Sequence, residues 1–199
     1  ADVREVAAAM GMDPRISPHF LDAGVGFGGY CLPKDLRAFI FMGEERRVDM
    51  ALLRAVSDIN DARVEKVISK IRQALWVLED KTLAIWGLAF KPGTGDIREA
   101  PSIEIMGRLL AERCSLRVYD PEAMLEFKSS FSGSPERVVY CKSPEDACEG
   151  AHGVLLLTEW PQFREVDLAQ VRDIMTLPVI VDGRNLLDPN EVRQLGFEY

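Results

Sequence analysis

The sequence predicts an α/β protein: a helical first segment, a long connecting helix, and then a parallel-sheet domain. Three observations carry this. From about Lys81 onward, the short apolar runs TLAIWG, SLRVYD, RVVYC, GVLLLT and LPVIVDG alternate with helix-like stretches. Those runs are almost continuously apolar, as strands are when a parallel sheet is covered on both faces. From Met50 to about Asp80 the pattern differs: Leu52, Val56, Ile59, Val64, Val67, Ile71, Leu75 and Leu78 recur every three to five residues, giving one helical stripe.

The elements follow in order. ADVREVAAAMG predicts a helix ended by Gly11. Residues 11 to 35 hold Pro14, Pro18, Pro33 and five glycines, and read as irregular. LRAFIFMGEERR is a short helix with an apolar face. The helix from Met50 to Asp80 would span roughly 45 Å, a length that bridges domains or packs in an oligomer interface. The change of texture after it sets a domain boundary near residue 80, with one unit over 1–80 and a second over 81–199. In the second unit PSIEIMGRLLAERC, SPEDACEG, VDLAQVRDIM and DPNEVRQLG supply the helices, and SSFSGSPE is a surface loop.

The totals narrow the function. A chain of 199 residues that is 47% hydrophobic and 28% charged can bury an ordinary core. Its 24 basic and 32 acidic residues give a net charge of −8, which argues against non-specific nucleic-acid binding. An anionic small molecule needs only a local basic pocket and is compatible with this charge. No apolar run approaches the roughly 18 residues of a membrane span, and ADVREVAAAM reads as charged helix rather than a secretory leader. The four cysteines (Cys31, Cys114, Cys141, Cys148) make no C-x-x-C pair, so a reduced, cytoplasmic protein without a metal site is expected. Most of them read as core, with Cys31 the exception.

Cys31 follows a glycine-rich stretch, GVGFGGYCLPKD, residues 24 to 35. Gly24, Gly26 and Gly29 have G-x-G-x-x-G spacing. A dinucleotide fingerprint must follow a strand and open a helix; ISPHFLDA is no strand, and the motif fails that test. With Gly28, the glycines let backbone approach a ligand and aim N–H groups at it. They suit a cradle for a substrate oxygen, or a flexible turn around a buried thiol, and the residues alone leave both open. A free thiol, pKa about 8.5, is only a few per cent thiolate at neutral pH. Lys34 would favour the thiolate, and Asp35 could act as general base for water. The set permits attack on a carbonyl followed by thioester hydrolysis. Neither His19 nor His152 is close in sequence, so no Cys–His dyad is expected.

A second stretch, IWGLAFKPGTGDIREAPS, runs from residue 85 to 102 in strand–turn–helix context. Lys91 and Arg98 on a turn at the end of a parallel strand suit a phosphate or pyrophosphate. The competing reading is internal pairing, for example Asp96 with Arg98, and is weaker for Lys91 at the strand end. VIVDGRNLLD places Arg184 in the same topological position. TEWPQF places Trp160 at a third strand end, where core packing is the expectation.

Taken in order, GVGFGGYCLPKD, GLAFKPGTGDIREAPS, CEGAHGVLLLTEW and DGRNLLD resemble the UDP-glucose dehydrogenase family across nearly the whole chain. That family makes nucleotide-sugar acids by two successive hydride transfers to NAD. The resemblance implies a Rossmann-like UDP-sugar domain, UDP-glucose as ligand, NAD as cofactor and a homodimer. It implies that Cys31 traps the C6 aldehyde as a thiohemiacetal and then holds a thioester, with Asp35 assisting the hydrolytic water. The backbone of Val25, Gly26, Phe27, Gly28 and Gly29 would hold the hexose. Phe90, Lys91 and Arg184 would meet the nucleotide and pyrophosphate, and Lys34 and Arg98 would face NAD. Arg15 is similar to an arginine that crosses the dimer to the neighbour's substrate. Asn60 and Arg63 match a helix feature of the family with no role assigned. The family's N-terminal NAD domain, and its further catalytic lysine, asparagine and glutamate, match no segment here, which implies an inactive fragment. GDP-mannose and UDP-N-acetylmannosamine dehydrogenases share the cysteine motif; TGDIREAPS and DGRN lean toward UDP-glucose. The other class of function is a non-catalytic nucleotide-binding and dimerisation module.

Overall fold

The computed structural model describes residues 2–199. Three helices come first: α1 (Val3–Gly11), α2 (Leu32–Glu45) and α3 (Ala51–Leu75). Strands and helices then alternate: β1 (Thr82–Trp86), α4 (Pro101–Ala111), β2 (Ser115–Tyr119), α5 (Met124–Ser130), β3 (Val138–Tyr140), α6 (Pro144–Cys148), β4 (Gly153–Leu156), α7 (Leu168–Ile174), β5 (Ile180–Asp182) and α8 (Pro189–Gln194). The strands form one parallel sheet in the order β3-β2-β1-β4-β5. This is the α/β class that the sequence predicts.

The sheet forms where the apolar runs are longest. Leu83, Ile85 and Trp86 of β1 are wholly buried, flanked by Leu116 and Val118 of β2 and Val154 to Leu156 of β4. Right-handed crossovers decide where the helices go. Because strand order reverses between β1 and β4, α4 covers one face with α3 while α6 and α7 cover the other. Local signals start the shorter helices. Ser143 caps α6 by accepting the Asp146 amide at 3.1 Å, and Asp188 caps α8 through the Asn190 amide at 2.7 Å.

Three expectations are corrected. The long helix ends at Leu75, five residues early, because Trp76 takes a left-handed φ of 61° that stops it. Its 25 residues span about 37 Å. Its stripe is also divided: Val64, Val67, Ile68, Ile71 and Leu75 are buried, while Leu52 is 77% exposed and Ile59 is exposed too. Next, α2 begins at Leu32, so Pro33, Lys34 and Asp35 are helical. Proline fits a first turn, where its missing N–H would have no helical partner. Finally, α5 stands where the sequence shows no helical pattern. Its seven residues are too few for periodicity, and it is anchored by buried Phe127, whose ring stacks on Phe131 at 4.6 Å.

Cys114, Cys141 and Cys148 are buried and Cys31 is exposed. Burial pushes Cys114 to about 11 and Cys148 to about 12, so these thiols stay protonated and unreactive. Among the described residues, no helix is long and apolar enough to cross a membrane.

Candidate functional site

The site lies at the carboxyl ends of β1, β4 and β5, beside the strand-order reversal, where open parallel sheets bind ligands. The chain leaving β1 is fixed almost atom by atom. Asp120 Oδ2 accepts the amides of Leu88 (2.7 Å) and Ala89 (3.1 Å). Ser102 donates to the Leu88 carbonyl and Thr158 to the Ala89 carbonyl, both at 2.6 Å. The Phe90 amide donates to the Asp96 carbonyl at 3.1 Å, and Arg184 Nη2 donates to the Phe90 carbonyl at 3.2 Å. Phe90 and Lys91 therefore leave a turn with little freedom. Lys91 reaches solvent, its ammonium 5.6 Å from the Phe90 ring centre.

Asp120 is a buried carboxylate that also accepts the amides of Glu122 and Ala123, in the turn before α5, and the Trp160 indole N–H at 3.1 Å. Trp160 is accordingly core rather than pocket lining.

Arg184 is a joint between loops. Nε donates to the Leu157 carbonyl at 2.9 Å, and a Glu159 carboxylate oxygen lies 3.0 Å from the same nitrogen. That oxygen accepts no hydrogen bond, since the N–H is aimed at Leu157, so the pairing is purely electrostatic. Burial pulls the Arg184 pKa down, against the pull of Glu159 and Asp182. The Asp182 carboxylate in turn accepts the Arg184 amide, the Leu187 amide and the Tyr199 hydroxyl.

The glycine loop packs onto this base, and its missing side chains are explained within the chain. A Cβ on Gly24 would lie 2.7 Å from Arg184 Nη1, and one on Gly29 would lie 2.8 Å from the Phe90 ring. A Cβ on Gly28 would run into the Glu99 carbonyl. Asn60 of α3 clamps Phe27, accepting its amide at 2.8 Å and donating to its carbonyl at 3.1 Å. Asn185 donates to the Ala23 carbonyl at 3.0 Å, and the Gly29 amide donates to the Arg98 carbonyl at 2.9 Å. Val25 is buried against Gly183. The Phe27 and Gly29 amides are thus already engaged, and a ligand would meet other backbone of this loop.

The loop delivers Cys31 to the N-terminal end of α2 as its N-cap residue. Asp35, one turn on, shares its helix face. Lys34 Nζ is 3.3 Å from the Asp35 carboxylate, which raises the Lys34 pKa and keeps the ammonium charged. Arg98 is paired with Asp96 at 2.7 Å, the internal pairing that the sequence offered, and this holds Asp96 below its ordinary pKa. Both cations meet one ring: Lys34 Nζ lies 4.7 Å and Arg98 Cζ 4.6 Å from the Tyr30 centroid. Arg15 stands apart, its side chain 88% exposed and paired, among the described residues, with Asp13. A cleft of about 710 Å³ opens between α2, α3, α4 and residues 130–133. It includes Phe27 and Arg98 in its walls, but not Cys31, Lys91 or Arg184.

Sequence reasoning missed Asn60, Asn185 and Asp120 as organisers. A signal existed for two of them: asparagine inside a long helix is locally unfavourable, and an aspartate closing an apolar strand run must find donors.

A parallel sheet with polar loops gathered at the strand-order reversal, and a cysteine loop docked on them, defines a doubly wound α/β module, the kind that binds ligands at that edge. Comparison makes this specific. Residues 84–189 match the UDP-glucose/GDP-mannose dehydrogenase family, UDP binding domain, and residues 1–62 match the central domain of that family. The chain belongs to the UDP-glucose/GDP-mannose dehydrogenase family. It is 41% identical over its full length to a UDP-glucose 6-dehydrogenase of Pseudomonas aeruginosa and 39% identical to one of Bacillus subtilis, covering 44% of each. It spans less than half the length of these curated relatives. A solved UDP-glucose dehydrogenase from Pyrobaculum islandicum superposes with a TM-score of 0.83 at 34% identity, over 94% of this chain and 41% of that one.

Proposed function

We propose that this chain carries the reactive cysteine and the nucleotide-sugar site of an NAD-dependent UDP-glucose 6-dehydrogenase, which oxidises UDP-glucose to UDP-glucuronate. One observation carries the reading: the Cys31 loop docks, through Gly24, Gly28 and Gly29, onto the same strand-end loops that present Phe90, Lys91, Arg98 and Arg184. In this reading a sugar linked to a pyrophosphate spans the thiol and the basic loops.

In this reading Cys31 sulfur adds to the C6 aldehyde, forming a C–S bond and a thiohemiacetal whose oxygen takes up a proton. Loss of that proton and of a hydride leaves a thioester on Cys31. Asp35, one helical turn away, takes a proton from water as it attacks, and the sulfur departs as thiolate. NAD, when bound, would supply the hydride acceptor for each of the two oxidations, one molecule for each. Lys34 and Arg98 fit its pyrophosphate as two charged donors beside the thiol. The sheet itself does not fit an NAD ribose. The acidic residue at the end of β2 that would accept ribose hydroxyls is Asp120, and it is buried and filled by protein donors.

Around this chemistry, residues 1–80 act as the end of a central dimerisation domain and 81–199 as the UDP-sugar domain. A homodimer and a reduced cytoplasmic setting complete the proposal, the latter supported by four free cysteines. Alone, the chain binds UDP-glucose weakly and turns nothing over. Calorimetric titration tests this. UDP-glucose should saturate the chain, GDP-mannose should not, and Lys91→Ala should weaken binding by about tenfold, as loss of a charge-assisted contact does. Equal heats for both nucleotide sugars would remove the UDP-glucose assignment, and NAD reduction by the pure chain would remove the claim of inactivity.

A further inference from the structure

The Tyr30 side chain is 52% exposed beside the thiol, yet it is engaged by two cations rather than by the core. Lys34 comes from α2 and Arg98 from the β1–α4 turn, so the ring joins side chains from two separate elements. Each cation also has a carboxylate of its own, Asp35 for Lys34 and Asp96 for Arg98. Without the ring, Lys34 would follow Asp35, 69% exposed, into solvent, since exposed ion pairs hold geometry weakly, whereas Arg98 is held through two nitrogens by Asp96, whose side chain is only 22% exposed. An aromatic face adds a second attachment that attracts the cation without neutralising it. The Gly29 amide to Arg98 carbonyl bond sets the backbone distance between the two elements.

We propose that Tyr30 is a positioning residue: its ring holds Lys34 against Arg98 beside Cys31 and so sets the local electrostatic potential that a charged partner of the thiol meets. This rests on the reading of Cys31 as the reactive group and of the two cations as its anion-binding neighbours. The consequence is selectivity for negatively charged partners of the thiol, either the pyrophosphate of a dinucleotide or the oxyanion that forms on attack.

Alkylation of Cys31 reads that potential directly. Iodoacetate and iodoacetamide both convert the thiolate to a thioether and release iodide, but only the first carries a negative charge. The other cysteines are buried, so native-state modification reports on Cys31. The ratio of the iodoacetate to the iodoacetamide rate should fall about threefold in Tyr30→Ala and in the bulkier Tyr30→Leu, a size set by the loss of exposed cation–π contacts. Tyr30→Phe, which keeps the ring, should keep the parent ratio. A merely structural role would change both rates together and leave the ratio alone. An unchanged ratio in Tyr30→Ala and Tyr30→Leu, or a fall in Tyr30→Phe equal to theirs, would overturn the proposal while leaving Cys31 as the reactive group. Failure of iodoacetamide to modify Cys31 in the parent chain would overturn both readings together.

Discussion

Asn60 does for the glycine loop what a neighbouring strand does for a sheet edge. Its carboxamide offers one acceptor and one donor in a plane, and both are used on the backbone of a single residue, Phe27. The residues on either side cannot supply that restraint, because Gly26 and Gly28 have no side chains. Gly26, at φ 120°, could not take a β-carbon without strain, and a β-carbon there would lie 2.9 Å from the Asn60 carboxamide oxygen. Asn60→Ala strands a part-buried amide and carbonyl, which costs about 2 kcal/mol. For a chain of this size that lowers Tm by roughly 5 °C. Asn60→Asp keeps the acceptor and loses the donor, and should fall between the two. Scanning calorimetry checks the series, and an Asn60→Ala Tm equal to the parent's would mean the clamp does not hold the loop. The same variant should weaken UDP-glucose binding, because the loop it frees carries the path to Cys31.

At the scale of elements, polar contacts fix the ends of β1 and the approach to β4. The Thr82 amide donates to His152 Nδ1 at 3.2 Å and the Thr82 carbonyl accepts the His152 amide at 2.7 Å, which joins the start of β1 to the approach to β4. Burial, and secondarily the Lys81 ammonium, hold the imidazole pKa below its ordinary value. The bond from Thr82 also needs the Nδ1 lone pair, so the folded chain wants this ring neutral. The unfolded chain takes up the proton near pH 6.5. Between the folded and unfolded pKa values the unfolded state binds more protons, so stability rises with pH there. The contribution is complete above about 6.5 and is lost as pH falls through the folded value. His152→Asn, which keeps an acceptor and removes the titration, should flatten the drop in urea midpoint between about pH 7 and pH 5. Parallel slopes in the two proteins would rule the imidazole out. The same scale decides how much of the structure is legible in the sequence. The five strands are legible because each is a dense apolar run, and α1, α4 and α7 because they repeat their apolar face. The seven-residue α5 is not, since Phe127 alone carries its burial. Nor is the stop at Trp76, where no glycine or proline marks the left-handed turn. In the candidate site, the positions of Phe90 and Arg184 just past strands β1 and β5 are legible from the strand–turn pattern. Asn60 is not, because its partner lies 33 residues away in sequence and only the docked loop brings them together.

The whole molecule is lopsided in what it covers. The sheet half buries its apolar residues on both faces, while the helical half leaves many uncovered. Helix α1 has no buried residue, and Val3, Val6 and Met10 are exposed along it. On α2, Phe39, Phe41 and Met42 are exposed, and on the first half of α3 so are Leu52, Val56 and Ile59. Folded monomers seldom leave contiguous apolar surface beyond a few hundred Å². A second copy of this chain is the partner we propose for it, because a two-fold interface lets one such face cover its own equivalent. The divided stripe of α3 then has a physical cause: its second half is buried against the sheet and its first half waits for the partner. Light scattering should give twice the chain mass. Replacing Leu52 and Phe39 together by Glu should weaken the dimer by about tenfold or more, on the order of one buried apolar side chain lost. Helical circular dichroism should be unchanged in that variant, since both side chains are more than half exposed in the single chain. A strictly monomeric mass for the parent at high concentration would sink the two-fold proposal, and with it the cross-dimer role that the family resemblance implies for Arg15.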